Sequence, residues 1–265
     1  MLAASPAVQP PPRIVTLAPH LAELAFVAGA GPRLVATVAY SDYPPAAAAL
    51  PIIGDAFRVD LERLVAARPD VVLAWAGGNP VALIEAVEAL GIPVVALRTD
   101  TLDDIGAQLR AIGDLARTRA TAETAAEEYE RRLAALRARY AGRDPVRVFY
   151  EVAHQPLFTV GRAHSLNDAI RLCGGTNVFE ALVMPGPSVS VESVLGADPE
   201  VIIGALYPPP PDGELGELSE WLRWPGVDAV ADGHVYTLDP SVMARPTPRL
   251  LDGVARLCEL IDRAR

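Results

Sequence analysis

TRATAETAAEEYERRLAALRARY, residues 118–140, is the stretch on which the fold turns. Apolar or aromatic side chains fall at Ala122, Ala126, Tyr129, Leu133, Leu136 and Tyr140, three or four residues apart, with Arg and Glu between them. That spacing predicts one amphipathic helix. At 1.5 Å per residue it runs on the order of 30 Å, longer than a helix inside one βα unit needs and suited to bridging two lobes. The Gly142-Arg143-Asp144-Pro145 run ends it.

Strand and helix patterns alternate on both sides of this helix. Before it, residues 13–17 (RIVTL) read as a strand, and a helical pattern at Leu21, Leu24, Ala25 and Ala28 stops at Gly29. Residues 34–38 are a second strand; Asp60 starts a helix through Leu61, Leu64 and Val65 that ends before Pro69; residues 71–74 form a buried strand. A helix over 80–90, stopped by Gly91, and a strand over 94–97 repeat the unit. Beyond the long helix come strands at 146–151, 201–204 and 235–238 and helices at 165–172, 189–195 and 248–264. The four prolines within 207–212 make that stretch an irregular loop. Such alternation predicts an α/β chain with mostly parallel sheets. The expected division is an N-terminal lobe over 13–115, a connecting helix over 116–142 and a C-terminal lobe over 143–265. No internal repeat is strong enough in the letters to mark a duplication.

With 265 residues, a net charge of −10 and a pI near 4.9, the chain lacks the basic balance that phosphate backbones and anionic membranes attract. No apolar run approaches the roughly 20 residues that span a bilayer. MLAASPAVQPPP at the start has neither a basic segment nor a full apolar segment and is no complete signal peptide. The two cysteines, Cys173 and Cys258, stand in no Cys-x-x-Cys motif and near no His cluster, which argues against structural zinc. They are either two buried thiols or one disulfide tying the last helix to its own lobe.

Ligands of open α/β sheets sit beyond the carboxyl ends of the strands, so the residues after each strand are the ones to read. They are Ala18-Pro19-His20, Ala39-Tyr40-Ser41-Asp42-Tyr43-Pro44-Pro45, Trp75-Ala76-Gly77-Gly78-Asn79 and His154-Gln155-Pro156-Leu157-Phe158. Gly77 and Gly78 allow close backbone approach to a ligand, and Asn79 can cap the next helix. Trp75 offers a flat apolar wall or a core ring. Neither G-x-x-x-x-G-K-[ST] nor G-x-G-x-x-G occurs, which excludes the common nucleotide loops. His20 and His154 fall on strand-end loops while His164 and His234 do not, so a zinc- or manganese-capturing site is a weaker reading than hydrogen-bonded histidines. No G-x-S-x-G or H-E-x-x-H motif is present, and Asp42, Asp55 and Asp60 read as turn and cap residues rather than an acid and base pair. A metal-cofactor enzyme lacks the clustered ligands it needs.

Tyr40-Ser41-Asp42-Tyr43-Pro44-Pro45, Leu61-Glu62-Arg63, Arg68-Pro69-Asp70, Ala74-Trp75-Ala76-Gly77-Gly78-Asn79, Phe158-Thr159, Cys173-Gly174-Gly175 and Pro248-Arg249, in order along nearly the whole chain, resemble the cobalamin-binding periplasmic proteins of bacterial ABC importers. The resemblance implies a class III solute-binding protein: two Rossmann-like lobes on one rigid helix, extracytoplasmic, monomeric, without a cofactor of its own, taking a cobalt corrinoid to permease subunits. It implies a Cys173–Cys258 disulfide, ligand contacts at Tyr40, Phe57, Trp75, Gly77, Gly78, Phe158 and Arg245, and docking carboxylates at Glu62 and Glu192. His154, placed near the same ligand, is a candidate for the macrocycle's metal. Without the resemblance, Glu62 and Glu192 read as carboxylates favoured by helix dipoles. Phe57 stands where a Trp is expected, Met184-Pro185-Gly186-Pro187 lacks another, and Ser241 replaces an acid. These departures bring haem and iron-siderophore ligands of the same fold into range.

Overall fold

Ile14–Thr16 (β1), Leu34–Ala36 (β2), Val71–Trp75 (β3) and Val94–Leu97 (β4) are short apolar runs, and in the computed structural model, which describes residues 12–265, they pair in parallel in the order β2-β1-β3-β4. Their return paths are helices Pro19–Val27 (α1), Leu61–Ala66 (α2) and Val81–Ala89 (α3). Val15, Leu17, Ala36, Leu64, Val72 and Val87 meet in one buried cluster, the packing that turns alternating short segments into a sheet with covered faces.

Two helices follow, Asp103–Ala116 (α4) and Arg119–Tyr140 (α5). The second is the long helix expected from its periodicity; α4 is not among the helices the sequence reading expects. Its buried stripe of Ile105, Leu109, Ile112 and Ala116 has helical spacing, but Gly106 and Gly113 interrupt the local helix preference. Gly113 has a packing role: a Cβ there would come within 2.2 Å of the Cβ of Ala122, so only glycine lets the start of α5 close onto α4.

The remaining chain builds a second sheet around Val146–Ala153 (β5). Phe158–Thr159 (β6) returns antiparallel to it, Gly175–Asn177 (β7) and Val201–Gly204 (β8) pair with it in parallel, and Val235–Thr237 (β9) extends β8. Helices Ser165–Leu172 (α6), Val191–Ala197 (α7), Asp228–Ala231 (α8), Pro240–Met243 (α9) and Leu250–Asp262 (α10) complete it, with a 3-10 helix at Gly216–Arg223. The loop over 207–212 is irregular, as its prolines require. The fold is mixed α/β with mostly parallel sheets.

The chain divides into two compact units. One takes in residues to Arg98 with Gly106–Glu127, the other Thr99–Ile105 with Glu128–Arg265, so α4 and α5 each contribute to both.

A repeat too weak to see in the letters is plain in the geometry. Asp60-Leu61-Glu62 opens α2 and Ser190-Val191-Glu192 opens α7. The carboxylate of Asp60 accepts from the N–H groups of Glu62 and Arg63 at 3.0 Å, and the hydroxyl of Ser190 accepts from the backbone N–H of Ser193 at 3.2 Å. Both helices run out at a left-handed residue, Arg68 (φ 46°) and Asp198 (φ 44°), before Pro69-Asp70 and Pro199-Glu200. In the first unit Arg13 donates its backbone N–H to Asp70 at 2.7 Å and its guanidinium to the carbonyls of Ala67 and Arg68. In the second, Arg147 donates its N–H to Glu200 at 2.7 Å and its guanidinium to the carbonyl of Asp198. Each arginine thus meets the carbonyl end of a helix, where positive charge is favoured.

Cys173 and Cys258 form the disulfide that the resemblance implies, fastening the end of α6 to α10 within the second unit.

Candidate functional site

In the first unit the loops at the carboxyl ends of β1, β2 and β3 are cross-linked by one side chain. Asn79 lies buried, its amide N–H groups donating to the carbonyls of Leu17 and Ala56 at 2.9 and 2.7 Å, and its Oδ1 accepting from the N–H of Trp75 at 2.6 Å. The expectation that Asn79 caps the next helix is therefore corrected. Pro80 holds that cap position without a side-chain bond, because the amide is spent tying three loops together. A Cβ at Gly78 would lie 2.0 Å from the indole of Trp75, so only glycine lets that ring sit against the loop backbone. Gly77 is exposed and carries φ 89°, a conformation glycine enters freely.

Three aromatic side chains stand on this edge. Trp75 is half-buried, with the ring of His20 edge-on at 5.3 Å. Phe57 is 63 % exposed at the tip of a turn in which the Asp55 carboxylate accepts from the N–H groups of Phe57 and Arg58, both at 2.7 Å. Those two bonds hold the Asp55 carboxyl below its ordinary range. Tyr40 is 71 % exposed and has φ 67°, uncommon and strained for a residue with a bulky side chain. Its neighbours are pinned: Ala39 donates to the carbonyl of Gly54 at 2.7 Å, and Ser41 bonds Thr37, which bonds Thr16. The scaffold holds the aromatic ring of Tyr40 out against both strain and the gain from burying it. His20 sits within the first turn of α1 and is buried, so its place on an open strand-end loop is corrected.

In the second unit His154 lies in the turn between β5 and β6. Its Nδ1 is 2.8 Å from Oε1 of Glu151, a wholly buried carboxylate whose Oε2 accepts from the indole N–H of Trp221 at 2.6 Å. Burial raises the Glu151 carboxyl, against the lowering effect of the Trp221 and His154 bonds. Trp221 packs edge-on against Phe149 at 5.4 Å. Phe158 is half-buried on β6 and bridges to Ser188, which draws residues 185–188 alongside. Arg245 is half-buried just after α9. His164 caps α6 by accepting from the N–H of Leu166 at 3.1 Å, and burial lowers it to about 4.

Glu62 and Glu192 are both exposed, at the same position of the repeated helix start. The backbone N–H of Glu192 and the Ser190 hydroxyl hold the Glu192 carboxyl below its ordinary range.

The sequence reading nominates the aromatic residues and His154 but misses Glu151 and Trp221. One signal was available: a single acid among the inward residues Val146, Val148, Phe149 and Tyr150 of one strand, three residues before a histidine. Among the described residues no group of three or more His, Cys, Asp or Glu side chains is placed to hold a metal ion, and no helix is long and apolar enough to cross a membrane.

The family model described as periplasmic binding protein matches residues 14–242. The chain is 34 % identical over 250 residues to a vitamin B12-binding protein of Vibrio cholerae, covering 94 % of this chain and 88 % of that one. The crystal structure of a periplasmic vitamin B12 binding protein of Vibrio cholerae superposes with a TM-score of 0.88 at 33 % identity, over 96 % of this chain and 98 % of that one. A periplasmic haem binding protein from Pseudomonas aeruginosa superposes with a TM-score of 0.79 at 24 % identity, over 95 % and 93 %. That last likeness is one of fold.

Proposed function

The chain belongs to the periplasmic binding protein family, and from that membership we propose that it is the solute-binding protein of an ABC importer that captures a cobalt corrinoid, cobalamin or cobinamide, and hands it to the permease. It works outside the cytoplasmic membrane as a monomer, without turnover and without a resident cofactor.

The observation that carries the ligand class is the set of outward aromatic side chains, Tyr40, Phe57 and Trp75, on loops locked by Asn79. Burying such rings against a flat macrocycle recovers apolar area that the free protein leaves in water, and rigid loops lower the ordering cost of binding. Identity of about one third to vitamin B12-binding proteins along nearly the whole chain supports the same reading. In this reading Gly77, Gly78, His154, Phe158 and Arg245 are further ligand contacts.

Glu62 and Glu192 are the docking carboxylates, one per unit. They crown equivalent helix starts, and paired acids held at matching positions suit a permease presenting two basic sites.

Titration calorimetry of the purified protein with cyanocobalamin, cobinamide and haemin tests the ligand. Saturable one-to-one binding of a corrinoid is expected. Binding of haemin alone, or of none of the three, overturns the corrinoid reading and directs the search to haem or siderophores. For docking, Glu62→Arg with Glu192→Arg is expected to stop corrinoid uptake by cells while the purified variant still binds corrinoid; undiminished uptake would remove that role.

A further inference from the structure

The proposed function assigns His154 to the ligand side of the second unit, but it does not explain why the residue is buttressed so heavily. Glu151 is buried without exposure on an inward position of β5, where an apolar side chain would cost less. Both its oxygens are committed, one to His154 Nδ1 at 2.8 Å and the other to Trp221 Nε1 at 2.6 Å. Trp221 is itself 2 % exposed and packed on Phe149. The whole assembly has a single open end, the imidazole.

Tryptophan Nε1–H only donates, and a carboxylate only accepts, so the Glu151 carboxylate takes a proton bond from each partner. In the neutral imidazole, Nδ1 then carries the hydrogen directed at Glu151 and Nε2 the lone pair. Among the described residues Nε2 has no hydrogen-bond partner, and it is not enclosed, since 15 % of the side-chain surface remains open. No hydroxyl or thiol of the described residues bonds to it, so no nucleophile is activated. A buried carboxylate holding one nitrogen of an imidazole whose other nitrogen is open is the arrangement by which proteins orient a histidine on a metal and raise its basicity. The turn that carries His154 lies at the carboxyl end of β5, beside Phe158, the end at which α/β sheets receive ligands.

We propose that His154 Nε2 is an axial ligand to the cobalt of the bound corrinoid, with Glu151 and Trp221 as positioning residues. The step is a ligand exchange: the Nε2 lone pair forms a bond to Co(III) as a coordinated water leaves, and no electron is transferred. It requires an open axial position. The site therefore favours corrinoids that lack a lower base, such as cobinamide, over cyanocobalamin, in which cyanide and the nucleotide base fill both axial positions. This inference rests on the corrinoid reading above.

The test is an absorption titration of the full chain with diaquacobinamide and with dicyanocobinamide, whose axial positions are both closed, each paired with calorimetry. The wild-type protein is expected to red-shift the bands of diaquacobinamide and to leave those of dicyanocobinamide unchanged. His154→Ala should abolish the shift and weaken diaquacobinamide relative to dicyanocobinamide by at least about ten-fold, and Glu151→Gln should weaken that preference by about ten-fold. A merely structural role would weaken both ligands together and leave the shift in place. Wild-type binding of diaquacobinamide with an unchanged spectrum, or a shift that persists in His154→Ala, overturns cobalt ligation and leaves the corrinoid reading standing. If neither cobinamide binds the wild-type protein, cobalt ligation falls, and the cyanocobalamin calorimetry decides whether the corrinoid reading falls with it. Should either variant not fold, a wild-type spectrum without a shift still overturns cobalt ligation, and the other variant carries the assignment.

Discussion

At the scale of single residues, the candidate site is made of small groups whose importance is steric or positional. Gly78→Ala places a methyl 2.0 Å from the Trp75 indole, and overpacking of this kind costs about 1–3 kcal/mol. Urea unfolding should show that loss, and calorimetry should show weaker corrinoid binding because Trp75 must turn away. His164 supplies a pH test. Its imidazole goes from an ordinary 6.5 to about 4 on folding, so below 6.5 the unfolded chain takes up the proton first. Its contribution is complete above pH 6.5 and drains away as pH falls through 4, by up to about 3 kcal/mol. Glu151, raised by burial, works in the opposite sense, losing its contribution as pH rises through its folded value. His164→Asn keeps a competent cap and removes the titrating ring. Unfolding midpoints between pH 4 and 7 should therefore flatten in that variant relative to wild type. An unchanged slope would show that the His164 ring stays solvated.

At the scale of elements, the two repeated helix starts invite a direct comparison. Asp60 satisfies two backbone N–H groups and Ser190 one. Replacing either with alanine should cost about 0.5–2 kcal/mol, with Asp60 toward the upper end. Equal losses in urea unfolding would mean that the additional bond from the N–H of Glu62 adds nothing. Gly113 in α4 sets two effects against each other. Alanine gains up to about 1 kcal/mol of helix preference, but its methyl would meet the Cβ of Ala122 at 2.2 Å. Neither group is the far end of a flexible chain, so overpacking wins and Gly113→Ala should destabilise by about 1–2 kcal/mol net. The long helix α5 was legible because its period runs for 22 residues without a break. The strands β6 and β7, two and three residues long, were not, because a two-residue alternation needs more length than they have.

At the scale of the whole molecule, the disulfide is the covalent tie. Cys173 and Cys258 are fully buried and 85 residues apart in sequence, and closing so long a loop restricts the unfolded chain. The double variant Cys173→Ser with Cys258→Ser should lose about 2–5 kcal/mol, read as a lower urea midpoint in oxidising buffer. A midpoint unchanged from wild type would mean that the packing of α10 against its own unit suffices without the bond.

The amino-acid sequence by itself determined the α/β class, the long helix α5, the longer strands, and the strand-end loops that carry Tyr40, Trp75 and His154. All of these follow from local periodicity and from turn-forming residues, which act over a few positions. Tertiary structure decided what those residues do. Asn79 reaches Leu17 and Ala56, and Glu151 reaches Trp221, across separations of 62, 23 and 70 residues. Hydrogen bonds of that range depend on how the loops are brought together and leave no periodic trace in the chain.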